Sequence, residues 1–342
     1  MKFEINPEDL FEYKRRNETF KLIDMRSEGE FEDFKIPSAI NFPILDNEER
    51  KIVGTLFDNG QIDKAKSLSV HYAASKLPDF FDKILNYVRE YDHVVLYCAR
   101  GGYRSTVFFN FLKGLGISVE KLVGGYKSYR KYIRDNLEDL IASKTFIVLH
   151  GKTGVGKTEI LHTLQENGIS ILDLEGLANH RGSSFGSLGL DHQPSQKQFE
   201  SLLFNSLLNS DELVFLEGES SRIGNILLPK FLCEKMSSSI NLVIEDSIEN
   251  RVERIKRDYV NGTEAEINSA LDNLSKYISQ NRIELYRNHV LENDLDFVIK
   301  DLILNYYDSN YAINYYPTDL HLSNDENILE AIKNFIADKK MN

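Results

Sequence analysis

Residues 145–161, TFIVLHGKTGVGKTEIL, constrain the chain more than any other stretch. An apolar run leads into Gly151-Lys152-Thr153-Gly154-Val155-Gly156-Lys157-Thr158, which fits G-x-x-x-x-G-K-[ST], and a helix-forming segment follows. Strand, glycine loop and helix in that order belong to a parallel α/β sheet, with the loop at the carboxyl end of its strand. Glycines let backbone N–H groups converge on an anion, Lys157 adds a point charge, and the helix N-terminus adds its dipole. Thr158 can hold Mg²⁺ through its hydroxyl. The expected phosphate-binding residues are therefore Gly151, Gly154, Gly156, Lys157 and Thr158. A plain glycine turn would not need the Lys-Thr pair.

The same half of the chain holds further strand patterns at 169–176 (ISILDLEG), 212–220 (ELVFLEGES) and 240–246 (INLVIED). Glu217 ends one of them and could organise Mg²⁺ or water. Glu219 lies two residues on, so an extended chain puts it on the same side. Alternatively, one of the two caps a turn or pairs with Arg222. Between these strands runs DLEGLANHRGSSFG (173–186), a polar, turn-rich loop of the kind that binds ligands at strand ends. It offers Asp173, His180, Arg181, Ser183 and Ser184 as substrate-loop candidates, beside Glu217, Glu219 and Arg222. No metal-ligand spacing joins the eight histidines, so no metal site is expected from them. From about residue 263 the chain reads as mostly helical.

The first half also alternates strand and helix. FKLID (20–24) and HVVLYC (93–98) read as buried strands, and SVEKLVGG (118–125) as a third. Val107, Phe108, Phe111, Leu112 and Leu115 predict one helical stripe closed by KGLG. The second strand runs into YCARGGYRS (97–105). Two arginines and two glycines follow Cys98, and a nest of N–H groups plus guanidiniums should bring a thiol below its usual ~8.5. Cys98 and Arg104 obey C-x5-R, the spacing of cysteine-dependent phosphatases. The same loop would suit a thiolate that carries an extra chalcogen atom. Cys233 sits on an apolar helix face and reads as structural.

A length of 342 residues predicts two domains, with the boundary in LEDLIASK (137–144), giving 1–138 and 139–342. No apolar run approaches the ~18 residues of a membrane span, and no secretory leader is visible. Two cysteines exclude a disulfide framework and fit a reducing cytoplasm. The net charge of −12 argues against an all-over basic nucleic-acid binder. A local patch survives that argument. KLVGGYKSYRKYIR (121–134) carries Lys127, Arg130, Lys131 and Arg134 with tyrosines between them. It reads either as a grip on RNA phosphates and bases or as an amphipathic helix with a solvated basic face.

Two resemblances separate the alternatives at Cys98. LIDMRSEGEFEDFKIPSAINFP (22–43) resembles the rhodanese signature, with Lys35 where that family often has histidine. Tyr97 stands where phosphatases usually have histidine. The order YCARGGYRS, LVGGYKSYR, HGKTGVGKTEIL, DLEGLANHRGSSFG, EGESSRIG resembles the tRNA 2-selenouridine synthase family over residues 5–260. That resemblance implies a rhodanese-like domain followed by a P-loop α/β domain with a helical C-terminal extension. It also implies replacement of the sulfur of wobble 2-thiouridine by selenium from selenophosphate, through an S-geranyl intermediate made from geranyl diphosphate. No tightly bound cofactor is expected beyond these co-substrates and Mg²⁺. Cys98 would carry selenium as a perselenide or assist its delivery, with Arg100, Gly101, Gly102 and Arg104 cradling the anion. The 121–134 patch would meet tRNA, and the protein would be a monomer. The alternatives are a cysteine phosphatase fused to a P-loop kinase or ATPase, and a non-catalytic sulfur relay.

Overall fold

The computed structural model describes residues 3–340 apart from 184, 260–262, 293, 311–317 and 325–326. Ser184 therefore lies outside the described residues. The chain forms two compact units, Met1–Leu137 with Glu200–Leu202, and Glu138–Phe199 with Leu203–Asn342.

The first unit comprises β1 (Glu4–Ile5), α1 (Pro7–Arg15), β2 (Phe20–Asp24), α2 (Glu28–Asp33), β3 (Ile40–Asn41), α3 (Asn47–Asp58), α4 (Ile62–Ala74), α5 (Leu77–Glu90), β4 (His93–Tyr97), α6 (Tyr103–Gly114), β5 (Glu120–Leu122) and α7 (Gly125–Ala142). Its five strands are parallel in the order β1-β5-β4-β2-β3. The apolar runs that predicted β2 and β4 are buried at the centre, as a strand covered on both faces must be. β5 is shorter than the 118–125 pattern suggests, because Gly124 and Gly125 turn the chain with φ of 70° and 59°.

α6 corrects the sequence expectation. Its buried side is Ser105, Phe108, Phe109 and Leu112, which pack with Ile23, Leu96 and Cys98. Each such apolar side chain contributes about 1.5–3 kcal/mol on burial. Val107, Phe111 and Leu115, placed on the core stripe by periodicity, are instead exposed. The helix is apolar on two sides, and periodicity alone does not tell which side faces the sheet.

The second unit contains β6 (Thr145–His150), α8 (Lys157–Glu166), β7 (Ile171–Leu172), α9 (Leu174–Ala178), α10 (Gln196–Leu208), β8 (Leu213–Glu217), the hairpin β9 (Arg222–Ile223) and β10 (Ile226–Leu227), α11 (Lys230–Ser237), β11 (Ile240–Glu245) and α12 (Ile248–Tyr259). Helices α13 (Glu264–Leu274), α14 (Gln280–Leu291), α15 (Leu295–Leu302) and the short α16 (Asp308–Asn310) follow, then β12 (Leu320–Ser323) and α17 (Ile328–Lys340). The parallel sheet runs β12-β11-β6-β8-β7. Later strands flank β6 on both sides, so the loop after β6 sits where the strand order reverses, the usual ligand position in such sheets.

Two sequence expectations change here. ISILDLEG is a strand only at Ile171–Leu172, because Asp173 caps α9 by accepting from the Gly176 amide at 2.7 Å. The C-terminal region is more than a helical tail. Its polar stretch supplies β12, which pairs with β11 from Leu242↔Leu320 to Glu245↔Ser323. Ile332 of α17 then enters the sheet core beside Leu161 and Leu164 of α8. Helices α13 to α15 pack against Phe185 and Leu188, and so hold the 173–190 loop in place.

Candidate functional site

In the first unit, Cys98 follows β4 and is only 3% exposed. Gly101 and Gly102 turn the chain into α6, so Ser105 comes back under the sulfur and its Oγ donates to Cys98 Sγ at 3.2 Å. The 124–125 glycine turn props the loop from behind. The amides of Tyr126 and Lys127 donate to the carbonyls of Cys98 and Ala99 at 2.8 and 3.0 Å. Only glycine fits at 125, since a Cβ there would lie 2.1 Å from the Cys98 carbonyl oxygen.

Asp24 and Arg26 of the upstream signature form a buried pair, Nη2 to Oδ2 at 2.6 Å. Arg26 also donates to the Phe34 carbonyl at 2.6 Å and lies over the Tyr126 ring. This pair fixes the segment beside the loop. Tyr97 is wholly buried, accepts from the Ile36 amide at 3.3 Å, and has its phenol pushed far up by burial and by Asp24. It is a structural residue.

Arg100 is exposed at the loop. Arg104 is half-buried, and its guanidinium spans both oxygens of Glu30 at 2.5 and 3.2 Å. Arg50 joins the same carboxylate at 3.0 Å. Glu30, which sequence reading missed, thus holds two cations at the edge of the loop, and its carboxyl is held below the usual range by them despite burial.

Along α7, Tyr126 and Tyr129 are core residues, while Lys127, Lys131 and Arg134 are exposed. Arg130 is set apart from that face, because its guanidinium pairs with Glu200, which clusters with this unit.

In the second unit, the loop after β6 takes the shape its glycines predict. Gly154 and Gly156 have φ of 81° and 89°, and Lys157 Nζ donates to the Gly151 carbonyl at 3.1 Å. Three side chains that sequence reading missed brace the loop. Arg251 Nε donates to the Thr153 carbonyl at 2.8 Å, Arg254 Nη1 to the Gly154 carbonyl at 2.8 Å, and Asn324 Nδ2 to the Val155 carbonyl at 2.7 Å. The signal for the arginines was their i, i+3 spacing on α12, which puts both on one face.

A cavity of about 1230 Å³ opens in front of this loop. Lys157, Thr158, Asp173, His180, Arg181, Ser183 and Glu219 line it, together with Tyr277, Arg282 and Tyr286 from the C-terminal helices. Arg222 is exposed on β9 and is not among the lining residues, so the structure does not bring it to the group where the sequence placed it. Arg181 Nη1 donates to the Leu188 carbonyl at 2.8 Å. Burial and the neighbouring Arg181 push the His180 imidazole down.

Under the loop lies a group of carboxylates. The Glu175 amide donates to Glu217 Oε1 at 2.8 Å, and Glu217 Oε2 has no hydrogen-bond partner among the described residues. Thr158 Oγ1 lies 3.4 Å from Glu175 Oε2. Burial and the charge of Glu219 push the Glu175 carboxyl up to about 8, while Lys157 opposes the rise. Glu217 is raised well above its ordinary value, and Glu219 is raised too, in both cases chiefly by burial. Glu175 was hidden in the sequence because it lies inside α9 rather than at a strand end. Among the described residues no cluster of three His, Cys, Asp or Glu is arranged to hold a metal, and no helix is long and apolar enough to cross a membrane.

Comparison with known proteins agrees with both halves of this geometry. Residues 9–132 match the rhodanese-like domain, and residues 144–285 match the tRNA 2-selenouridine synthase AAA domain. The tRNA 2-selenouridine synthase of Nitrosomonas eutropha is 35% identical over 71% of this chain and 63% of its own length. That of Marinobacter nauticus is 34% identical over 79% of this chain and 78% of its own. That of Pseudomonas syringae pv. tomato is 37% identical over 70% and 65%. The chain thus spans a little under two thirds of the length of several curated relatives and more of others. A rhodanese-like domain with its cysteine loop, a phosphate loop in the domain that follows, and these relatives converge on one conclusion: the chain belongs to the tRNA 2-selenouridine synthase family.

Proposed function

We propose that the protein converts wobble 2-thiouridine of tRNA to 2-selenouridine in two stages, one in each unit. The observation that carries this reading is the presence, in one chain, of a buried cysteine in a cation-flanked loop and a separate phosphate loop facing a cavity. Neither site alone would need the other.

At the phosphate loop, geranyl diphosphate would be held by Lys157 and the amides of Gly154 and Gly156, with Mg²⁺ entering alongside the diphosphate at Thr158. The thiocarbonyl sulfur attacks the allylic carbon, the carbon–oxygen bond to diphosphate breaks, and the N3 proton of the base is lost. A donor-rich cradle favours departure of the diphosphate because it stabilises charge that grows as the bond breaks. His180, Arg181, Ser183 and Asp173 shape the pocket for base and donor.

At the cysteine loop, selenophosphate would lie on the amides of Gly101 and Gly102 with Arg100 and Arg104 beside it. Alkylation turns a poor leaving group into a good one. The selenium of selenophosphate, positioned beside Cys98, adds to C2, the sulfur departs with its geranyl group as a thiol, and water then takes the phosphoryl group as phosphate, breaking the P–Se bond. The exposed cations of α7 would meet tRNA phosphates, which lets an acidic protein bind RNA locally. Incubating thiolated tRNA with the protein, geranyl diphosphate and selenophosphate tests the reading. S-geranyl-2-thiouridine should form first and 2-selenouridine after it; steady phosphoester hydrolysis without either nucleoside would point to the phosphatase alternative.

A further inference from the structure

A cleft of about 1060 Å³ opens beside Cys98, within the first unit. Its walls come from α3, α4, α6 and the start of α5, and the surface they present is mainly apolar, from Val53, Phe57, Ala73, Leu77, Val107 and Phe111, beside polar residues such as Lys51, Asp58 and Lys66. A loop that handles only a small, fully charged selenium donor has no use for such walls. The size matches pockets for ligands much larger than that donor, which run about 300–1,000 Å³.

Three observations give the cleft the features of a binding site. Val107 and Phe111 are 61% and 40% exposed although their helix has a separate, fully buried face. Gly54 stands in the middle of α3, where glycine costs about 1 kcal/mol relative to alanine. A Cβ built there meets nothing within 4 Å, so no packing requires the glycine, and its missing side chain leaves room in the cleft. Finally, the lining combines two chemistries: Arg50 and Arg100 share the cleft with Cys98 and with Val53, Phe57, Ala73, Val107 and Phe111. That combination complements a ligand with an anionic or RNA-linked head and a hydrocarbon tail.

We infer that this cleft binds the geranyl chain of the alkylated 2-thiouridine while selenium is exchanged at Cys98. The inference rests on the geranylation reading above and adds where the chain lies in the second stage. The chain enters attached to the base, stays against Val107 and Phe111 as C2 meets the selenium nucleophile, and leaves with the departing thiol. Recognition of the chain makes the exchange select alkylated bases over unmodified 2-thiouridine.

The test uses the full-length protein, selenophosphate, and two synthetic anticodon stem–loop RNAs bearing S-geranyl- or S-methyl-2-thiouridine at the wobble position. The measured quantity is the ratio of their rates of conversion to 2-selenouridine. Gly54→Leu fills the cleft from a helical position with open space, and Val107→Lys puts a charge into it from an exposed position. In each variant the geranyl-to-methyl ratio should fall about tenfold or more. If the wild type converts the S-geranyl RNA and both variants keep its ratio, the cleft assignment is overturned and the geranylation reading stands. If the wild type leaves the S-geranyl RNA unchanged, the geranylation reading falls and the cleft assignment falls with it.

Discussion

Ser105 Oγ donates a hydrogen bond to Cys98 Sγ at 3.2 Å, from a position with no solvent exposure. The donor comes from the first turn of α6, and the acceptor ends β4, so the glycine turn between them sets the distance. A hydrogen bond to a group that gains charge in a transition state is worth about 1.5–3 kcal/mol. Ser105→Ala should therefore slow conversion of S-geranyl RNA to 2-selenouridine about tenfold or more. Geranylation of 2-thiouridine should proceed at the wild-type rate. Single-turnover assays of the two steps separate these outcomes, and equal loss in both would assign Ser105 to folding instead.

Lys157 reaches back to the Gly151 carbonyl at 3.1 Å, the position from which a P-loop lysine meets an incoming phosphate. Lys157→Ala should lower geranyl transfer by about 10²-fold or more. The same variant should still convert pre-geranylated RNA. Retained geranyl transfer would remove the diphosphate from this loop.

The carboxylates below the loop give the protein a pH dependence whose sign is fixed. Glu175 ionises at about 8 in the fold, against 4.5 for the free side chain. Between those values the unfolded chain has released the proton and the folded chain retains it. Stability therefore falls as pH rises through that window. Glutamine cannot ionise, so Glu175→Gln escapes its share of the loss. The Tm of the variant minus that of the wild type should grow by about 2 °C or more from pH 5 to pH 8. A difference that stays constant or shrinks would mean the carboxyl is not desolvated.

The basic stretch of α7 separates into two kinds of residue. Lys127, Lys131 and Arg134 are exposed, and Arg130 is tied to Glu200. Reversing the three exposed charges should weaken tRNA binding and reduce its salt slope by about 0.7–0.9 for each phosphate no longer neutralised. Arg130→Glu should instead lower thermal stability, because it puts two carboxylates together. An unchanged salt slope in the triple variant would leave α7 as a solvated helix face.

Much of the fold was legible because its signals are local. The glycine loop at 151–158 sits between a strand and a helix as its spacing requires, and FKLID and HVVLY became the central strands of the first sheet. Short-range patterns failed where a residue acts through the tertiary structure. Glu30 meets Arg104 from 74 positions away, and Arg251 and Arg254 brace the phosphate loop from about 100 positions away. The Asn- and Tyr-rich C-terminal segment lacks the β-branched run of a central strand, yet it adds an edge strand because β11 offers an unpaired edge. On helix α6 periodicity found Phe108 and Leu112 in the core but placed Val107 and Phe111 with them, since those two are as apolar as the residues that are buried. Their exposure became informative only beside the cleft.

The division of labour between the two units is tested most directly by Cys98→Ser. Thiolated tRNA is incubated with this variant, geranyl diphosphate and selenophosphate, and its nucleosides are resolved by mass spectrometry. S-geranyl-2-thiouridine should accumulate and 2-selenouridine should be absent, with both present or the second dominant in the wild type. Undiminished 2-selenouridine from the variant, or loss of both nucleosides together, would contradict the account.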